Sequence, residues 1–447
     1  MFSKLVFFIF IFCLIYIYLN YENVKYYNWN IQLNNIKFPK KFKFGVATSS
    51  YQIEGYNFYN QWYEWELKTG IINGNSIEHR IRYKDDIKLM KNLKLNAYRF
   101  SIEWSRIEKA KGKYDYVELK YYDDLIDRCI ENKIDLMITI FHWTIPKWFA
   151  DIGGFEKEHN CKYFINFAKF IYTRYYKKIK RWCITNELVN YCNASYNIGI
   201  FPPNKKDIGL CFIVYWNFLN SQVKIYHKLK KIYPLNEIGF AKQFSIFRPY
   251  SKYNIIEIYL AKKIDHLFNN VELEFYKTGL FEINFGFIKI NKKNILAINS
   301  FDFIGVNYYS HNYIKFDIFS NNKVDLCMNP NEIPTDFIHT IYPEGIIDVI
   351  KNISQFNKKI YITENGLADK KDKNRGLYIK KILYLISTLI QQGYKIKGYY
   401  HWTLIDNFEW NEGFEPKFGL YKVDNQKNRI MRKSAKVYKK IINNQFI

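Results

Sequence analysis

Two glutamates stand where apolar runs stop. In KIYITENGL (359–367) the run Ile360-Tyr361-Ile362-Thr363 ends on Glu364, and KRWCITNEL (180–188) closes on Asn186 and Glu187. Asn365-Gly366, directly after the first acid, is a strong hairpin signal. A hairpin needs a second alternating strand, yet Leu367-Ala368-Asp369-Lys370-Lys371-Asp372-Lys373 is polar and charged. A carboxylate ending a buried strand therefore needs another reason. Two such acids facing one pocket are the equipment for cleaving a glycosidic bond. One attacks carbon or activates water, and the other protonates the leaving oxygen. Retention of configuration needs them about 5–5.5 Å apart and inversion about 6.5–9.5 Å. Sequence supplies the acids and not the distance. Taken alone, Glu187 reads more readily as half of a structural salt bridge with one of the many lysines; the shared placement at strand ends is what favours catalysis.

The elements that would position these acids follow a repeating pattern. Short β-rich runs occupy 42–48, 95–102, 135–143, 180–188, 237–244, 302–309, 359–367 and 396–404. Between them lie amphipathic, helix-like stretches such as 83–92, 118–131, 161–179, 212–230, 343–356 and 376–392. Strand then helix, eight times, predicts an α/β fold: one (β/α)8 barrel over residues 38–447. All strand C-termini of such a barrel meet on one face, where its active sites sit. Most of the runs end on polar or aromatic groups: Arg99, His142 with Trp143, Asn186 with Glu187, Asn307 with Tyr309, Glu364, and Trp402.

Composition narrows the classes further. The chain has 447 residues, 48% hydrophobic, with 40 Tyr and 37 Phe spread along its length. The net charge is +25, but the lysines are dispersed rather than gathered on a recognisable module, which argues against a nucleic-acid partner. Leu5 to Leu19 is an unbroken apolar run behind Lys4, without a small-x-small cleavage site after it. It reads as a signal anchor over residues 1–20, followed by a short lumenal stalk over 21–37. A cleaved signal peptide is the next reading and a buried core helix the third. The chain is thus expected in the secretory pathway, membrane-anchored or secreted, with possible membrane association through residues 5–19. Seven cysteines show no metal-binding spacing, and their pairing cannot be read. Sequons at Asn193 and Asn352 give weak support for a lumenal glycoprotein.

At these residues the chain resembles glycoside hydrolase family 1, the β-glucosidase family, from about Phe38 to Tyr438. FPKKFKFGVATSSYQIEG (38–55), NAYRFSIEWSRIE (96–108), ITNEL (184–188), YITENG (361–366) and GYYHWTLIDNFEWNEGFEPKFGLYKVD (398–424) are similar to the family's signatures in order and spacing. The resemblance implies a retaining β-glycosidase with Glu364 as nucleophile, oriented by Arg99 and Tyr309, and Glu187 as acid/base. Gln52, His142, Asn186, Asn307 and Glu409 would contact the sugar, with indole N–H donation from Trp143 or Trp410. Trp402 would form a platform under the ring. No metal or organic cofactor is implied. Glu409 points to a non-phosphorylated glucoside or galactoside, because relatives acting on 6-phosphosugars generally lack that acid.

The chain departs from the family pattern at three places. Leu188 stands where Pro usually follows the acid/base, leaving the local turn less constrained. Thr144 replaces an Asp after His-Trp, and His339 falls where many members carry a Trp flanking the aglycone. Two other readings share the same residues. One is a membrane-associated transglycosylase passing the glycosyl unit to an acceptor. The other is a non-catalytic sugar-binding relative, against which retention of both glutamates speaks.

Overall fold

The computed structural model describes residues 31–320 and 323–444. Eight strands close a barrel: β1 (Lys43–Ala47), β2 (Ala97–Ser101), β3 (Asp135–Phe141), β4 (Arg181–Asn186), β5 (Glu237–Pro249), β6 (Phe303–Phe316), β7 (Lys359–Asn365) and β8 (Ile396–Trp402). Each pairs in parallel with its sequence neighbour, and β8 returns to β1 through Lys43↔Gly398 to Ala47↔Trp402. Helices α1 (His79–Asn92), α2 (Tyr116–Glu131), α3 (Cys161–Tyr175), α4 (Ile208–Ile232), α5 (Ile255–Asp265), α6 (Val271–Thr278), α7 (Gly345–Ile353), α8 (Arg375–Gln391) and α9 (Lys433–Asn443) lie in the intervals after the strands.

The barrel follows from alternation. Tyr98 and Phe100, Leu136 and Ile138, Trp182 and Ile184, and Ile360 and Ile362 pack outward into the large helix-facing core. Their odd-numbered neighbours Ala97, Met137, Cys183 and Tyr361 fill the barrel interior with Phe303 and Tyr400. This two-residue period is what strands buried on both faces require. Gly45 makes room for Tyr400, since a Cβ there would lie 2.6 Å from the ring. Ion pairs of Asp135 with Lys43 and Arg181 lie at the N-terminal ends of their strands.

The strands match the expected runs closely, with two exceptions. β5 and β6 run to Pro249 and Phe316, beyond the expected 244 and 309, because they stay paired to each other past the barrel rim. The short strand Val324–Cys327 then adds to β6 in antiparallel. The hairpin Leu280–Phe285 with Ile288–Lys293 was likewise not foreseen.

The expected anchor over residues 1–20, and most of the stalk, lie outside the described residues. Among the described residues, no helix is long and apolar enough to cross a membrane. The six described cysteines are all free. Neither sequon sits on an open loop: the Asn193 oxygen accepts from Asn197 Nδ2, Ser195 is buried, and Asn352 Nδ2, on α7, donates to Asn270.

Candidate active site

Strict alternation would aim Asn186 and Glu364 the wrong way. On β4, Trp182 and Ile184 face outward, so Asn186 should too; on β7, Ile360 and Ile362 predict the same for Glu364. The structure places a register shift before each acid, between Cys183 and Asn186 and between Ile362 and Glu364. Such bulges re-aim the side chains that follow them. Parity flips accordingly. Thr185 now points outward and bonds Gln222 of α4, while Asn365 points outward and donates to Tyr378 of α8 at 2.9 Å. Asn186 and Glu364 turn inward. Glu187 then adopts a left-handed φ of 48°, a conformation that costs a non-glycine residue on the order of 1–2 kcal/mol. Its backbone is held by Glu187 N–H to Ala241 O at 2.8 Å and by Tyr191 N–H to Glu187 O at 3.1 Å. Leu188, buried, opens the helical turn Leu188–Cys192 in place of the expected proline, and the geometry holds.

The strand ends converge on one pocket. Arg99 donates to Glu364 Oε1 from Nη1 at 2.6 Å, and Tyr309 O–H donates to Glu364 Oε2 at 2.8 Å. Asn307 Nδ2 donates to Glu187 Oε1 at 2.6 Å, and Asn190 Nδ2 donates to Glu187 Oε2 at 2.9 Å. Arg99 continues to Asn186 Oδ1 at 2.7 Å, and Asn186 Nδ2 meets His142 Nε2 at 3.2 Å. The two carboxylates, from strands three places apart, are therefore linked through Asn307, Asn186 and the Arg99 guanidinium.

Burial raises both carboxyl pKa values, because a charge loses its hydration there. At Glu364 the Arg99 charge and the Tyr309 hydroxyl oppose that rise. At Glu187 the negative Glu364 adds to it, and the group is pushed up to about 8. Glu409 is also pushed up to about 8, by burial and then by the charge of Glu364. His142 is held well below its ordinary value by burial and by the Arg99 charge, which keeps the ring neutral.

The remaining expected residues line the same pocket. Gln52 donates to Phe408 O at 2.7 Å and reaches Glu409 Oε2 at 3.4 Å, while Ser49 holds its oxygen at 2.7 Å. Trp402 stacks on His142 with ring centres 6.0 Å apart, and Trp410 lies 6.3 Å away on a nearly parallel plane. Two expectations change. The Trp143 indole N–H donates to Asn186 O at 3.0 Å, so it supports the acid/base segment and is not free for a sugar hydroxyl. Asn307, expected on the sugar, has both amide hydrogens on Asn186 and Glu187, and its oxygen accepts from Thr363 at 2.7 Å.

Sequence reasoning missed Asn190, Thr139 and Thr363. Asn190 sits three residues past Glu187, the spacing at which helical side chains meet, so a helix starting at Leu188 would have exposed it. Thr139 accepts from Arg99 Nε at 3.0 Å and sits two residues past inward-facing Met137. The departures also have partners. Thr144 bonds both oxygens of buried Glu103, at 3.1 and 3.0 Å. His339 stacks on Tyr309 at 6.1 Å with Phe337 beside it at 5.3 Å. No group of three His, Cys, Asp or Glu among the described residues is arranged to hold a metal ion.

The sequence profile of glycosyl hydrolase family 1 matches residues 34–446. The chain is 30% identical to β-glucosidase A of Thermotoga maritima over 445 residues, covering 92% of this chain and 99% of the relative. It is 31% identical to a 6-phospho-β-galactosidase of Clostridium acetobutylicum over 470 residues, covering 92% and 97%. Among solved structures, a β-glycosidase from Pyrococcus horikoshii superposes with a TM-score of 0.83 at 33% identity, over 91% of this chain and 95% of that one. With a closed eight-stranded barrel and a profile spanning nearly its whole length, this chain is an O-glycosyl hydrolase and belongs to glycosyl hydrolase family 1.

Proposed function

We propose that this chain is a retaining β-glycosidase hydrolysing terminal, non-phosphorylated β-D-glucosides or β-D-galactosides. Glu364 is the nucleophile and Glu187 the acid/base. The observation that carries the reading is the unequal company of the two acids: a cation at 2.6 Å from Glu364, and only neutral amides on Glu187.

That difference maps onto the two half-reactions. The sugar ring lies over Trp402, an apolar platform suited to its C–H face. Ionised Glu364 attacks the anomeric carbon and forms an ester. The bond to the glycosidic oxygen breaks, and its electron pair takes the proton of Glu187. Esterification removes the negative charge that held Glu187 protonated. Glu187, now a carboxylate, accepts a proton from water as that water attacks the anomeric carbon, and Glu364 leaves ionised. Arg99 and Tyr309 stabilise that departing charge. Nδ1 of neutral His142 has no partner among the described residues and serves a glycone hydroxyl, as do the Glu409 carboxyl and the Gln52 oxygen.

Glu409 supports the non-phosphorylated preference. A sugar phosphate would bring a dianion close to the Glu364 charge and to a carboxyl that could not ionise beside it. The relatives named above include both a β-glucosidase and a 6-phospho-β-galactosidase, so the preference is argued from the residues of this chain. The test is to follow p-nitrophenyl β-D-glucoside, β-D-galactoside and their 6-phosphates by NMR at early times. Release of the β-anomer from the unphosphorylated sugars is expected. Initial release of the α-anomer, or faster cleavage of the phosphates, overturns the assignment.

A further inference from the structure

Past the barrel rim, β5 and β6 continue as a ribbon from Ile246↔His311 to Pro249↔Ile314, and α5 packs along it. Buried Glu257 accepts from Ser251 N–H at 2.6 Å and from Phe316 N–H at 3.1 Å. Those two bonds tie the start of α5 to the tip where β6 ends. Around the tie, six large apolar side chains face solvent: Tyr253, Ile255, Ile256, Tyr259, Ile318 and Phe319, with Ile255 80% and Phe319 96% exposed. Single exposed apolar residues are ordinary, but a gathered set on one projecting rim marks a binding surface.

The charges around this rim identify the partner. Lys252, Lys262, Lys263, Lys315 and Lys323 border it. Three of their ammonium groups lie over its tyrosine rings: Lys252 on Tyr253 at 5.1 Å, Lys263 on Tyr259 at 5.8 Å, and Lys315 on Tyr250 at 5.8 Å. The acids of the same region are mostly occupied. Glu257 is buried on backbone N–H groups, Asp265 accepts from Asn269 and Asn270, and Asp317 accepts from Phe319 N–H. Asp325, opposite Lys315 on the added strand, is half-buried, as are Asp265 and Asp317.

We propose that this rim is a docking surface for an anionic lipid bilayer. Isoleucine and phenylalanine side chains enter the acyl boundary, tyrosines sit at the headgroup level, and the lysines meet lipid phosphates. A second copy of the chain fits poorly, because a two-fold contact would press the same five lysines against each other. The surface is separate from the Leu5–Leu19 run. It stands about 20 Å beyond Tyr309 along β6, on the side where the pocket opens. On the glycosidase reading, docking therefore turns the pocket toward sugars displayed at a membrane.

The test uses the full chain with Cys13 and Cys327 replaced by serine. One variant carries Phe319→Cys labelled with an environment-sensitive fluorophore, and a second carries the label at Ile130→Cys, exposed near the end of α2. Vesicles of phosphatidylcholine with about 30% phosphatidylserine are added. The label at position 319 is expected to shift to the blue by roughly 10 nm or more, and the label at 130 to stay put. Adding Lys252→Glu and Lys263→Glu is expected to weaken the response at least about tenfold. No shift at 319, an equal shift at both positions, or insensitivity to the lysine changes overturns the proposal. A shift at 319 that grows with protein concentration without vesicles assigns the rim to a second copy and also overturns it. None of these readings depends on turnover, so failure here and failure of the hydrolase mechanism are separable.

Discussion

Glu364 and Glu187 are nearly equal in burial, at 3% and 4% exposed, and each follows a bulge, on β7 and β4, which stand three strands apart around the barrel. Their contacts differ. Glu364 is held by a guanidinium and a phenol, and Glu187 by two carboxamides. Burial sets how far a carboxyl pKa can move, and the neighbours decide which of the two keeps its proton. At Glu364 the Arg99 charge and the Tyr309 hydroxyl oppose the rise that burial causes, whereas at Glu187 the Glu364 charge adds to it.

The sharpest way to break that comparison is Glu364→Gln. It removes the attacking oxygen, and turnover of p-nitrophenyl β-glucoside is expected to fall on the order of 10⁴-fold or more. It also removes the negative charge beside Glu187. The Glu187 carboxyl, followed by ¹³C NMR titration, should then move down from about 8. A Glu187 titration that does not move would mean that burial alone sets its proton affinity.

Glu187→Ala comes next. Loss of the acid is expected to slow hydrolysis of alkyl glucosides about 10²–10⁴-fold. A dinitrophenyl glucoside, whose leaving group needs no proton, should form the ester at nearly the normal rate. Added azide should restore turnover and yield the β-glucosyl azide; an α-azide product would contradict a double displacement.

Tyr309→Phe removes one hydrogen bond to a charged acceptor, worth about 1.5–3 kcal/mol, so kcat is expected to fall roughly 10–100-fold. The sign of the accompanying pH effect is fixed. Glu364 must be ionised, and losing a donor to the ionised form raises its pKa, so the acid limb of the rate profile should move to higher pH. The basic limb reports Glu187 losing its proton as pH rises through about 8. Glu409 titrates in the same range, so Glu409→Gln is needed to separate the two.

The barrel and its eight strands were legible because alternation and length are local properties of the chain. The convergence of Arg99, Glu187, Tyr309 and Glu364 was legible because a parallel barrel gathers strand ends. The bulges were not, since one extra residue leaves no compositional mark and only the paired strand reveals it. Trp143 and Asn307 were assigned to sugar because side-chain type does not disclose which neighbour already occupies the donor. Asn190 and Thr363 escaped for the converse reason: ordinary residues become functional only through what the fold sets beside them.

The smallest expected effect concerns His339, stacked on Tyr309 where an indole was expected. His339→Trp should lower KM for aryl glucosides severalfold through added stacking area, with kcat little changed. An altered kcat would show that the ring acts through Tyr309 on Glu364.

The most direct measurement is covalent trapping. A 2-deoxy-2-fluoro-β-D-glucosyl fluoride slows both half-reactions, while its good leaving group lets the first one proceed. After proteolysis, mass spectrometry should find the fluoroglucosyl adduct on the peptide containing YITENG, with fragmentation placing it on Glu364. An adduct on Glu187, or slow turnover of the reagent with no adduct at any time, would contradict the assignment.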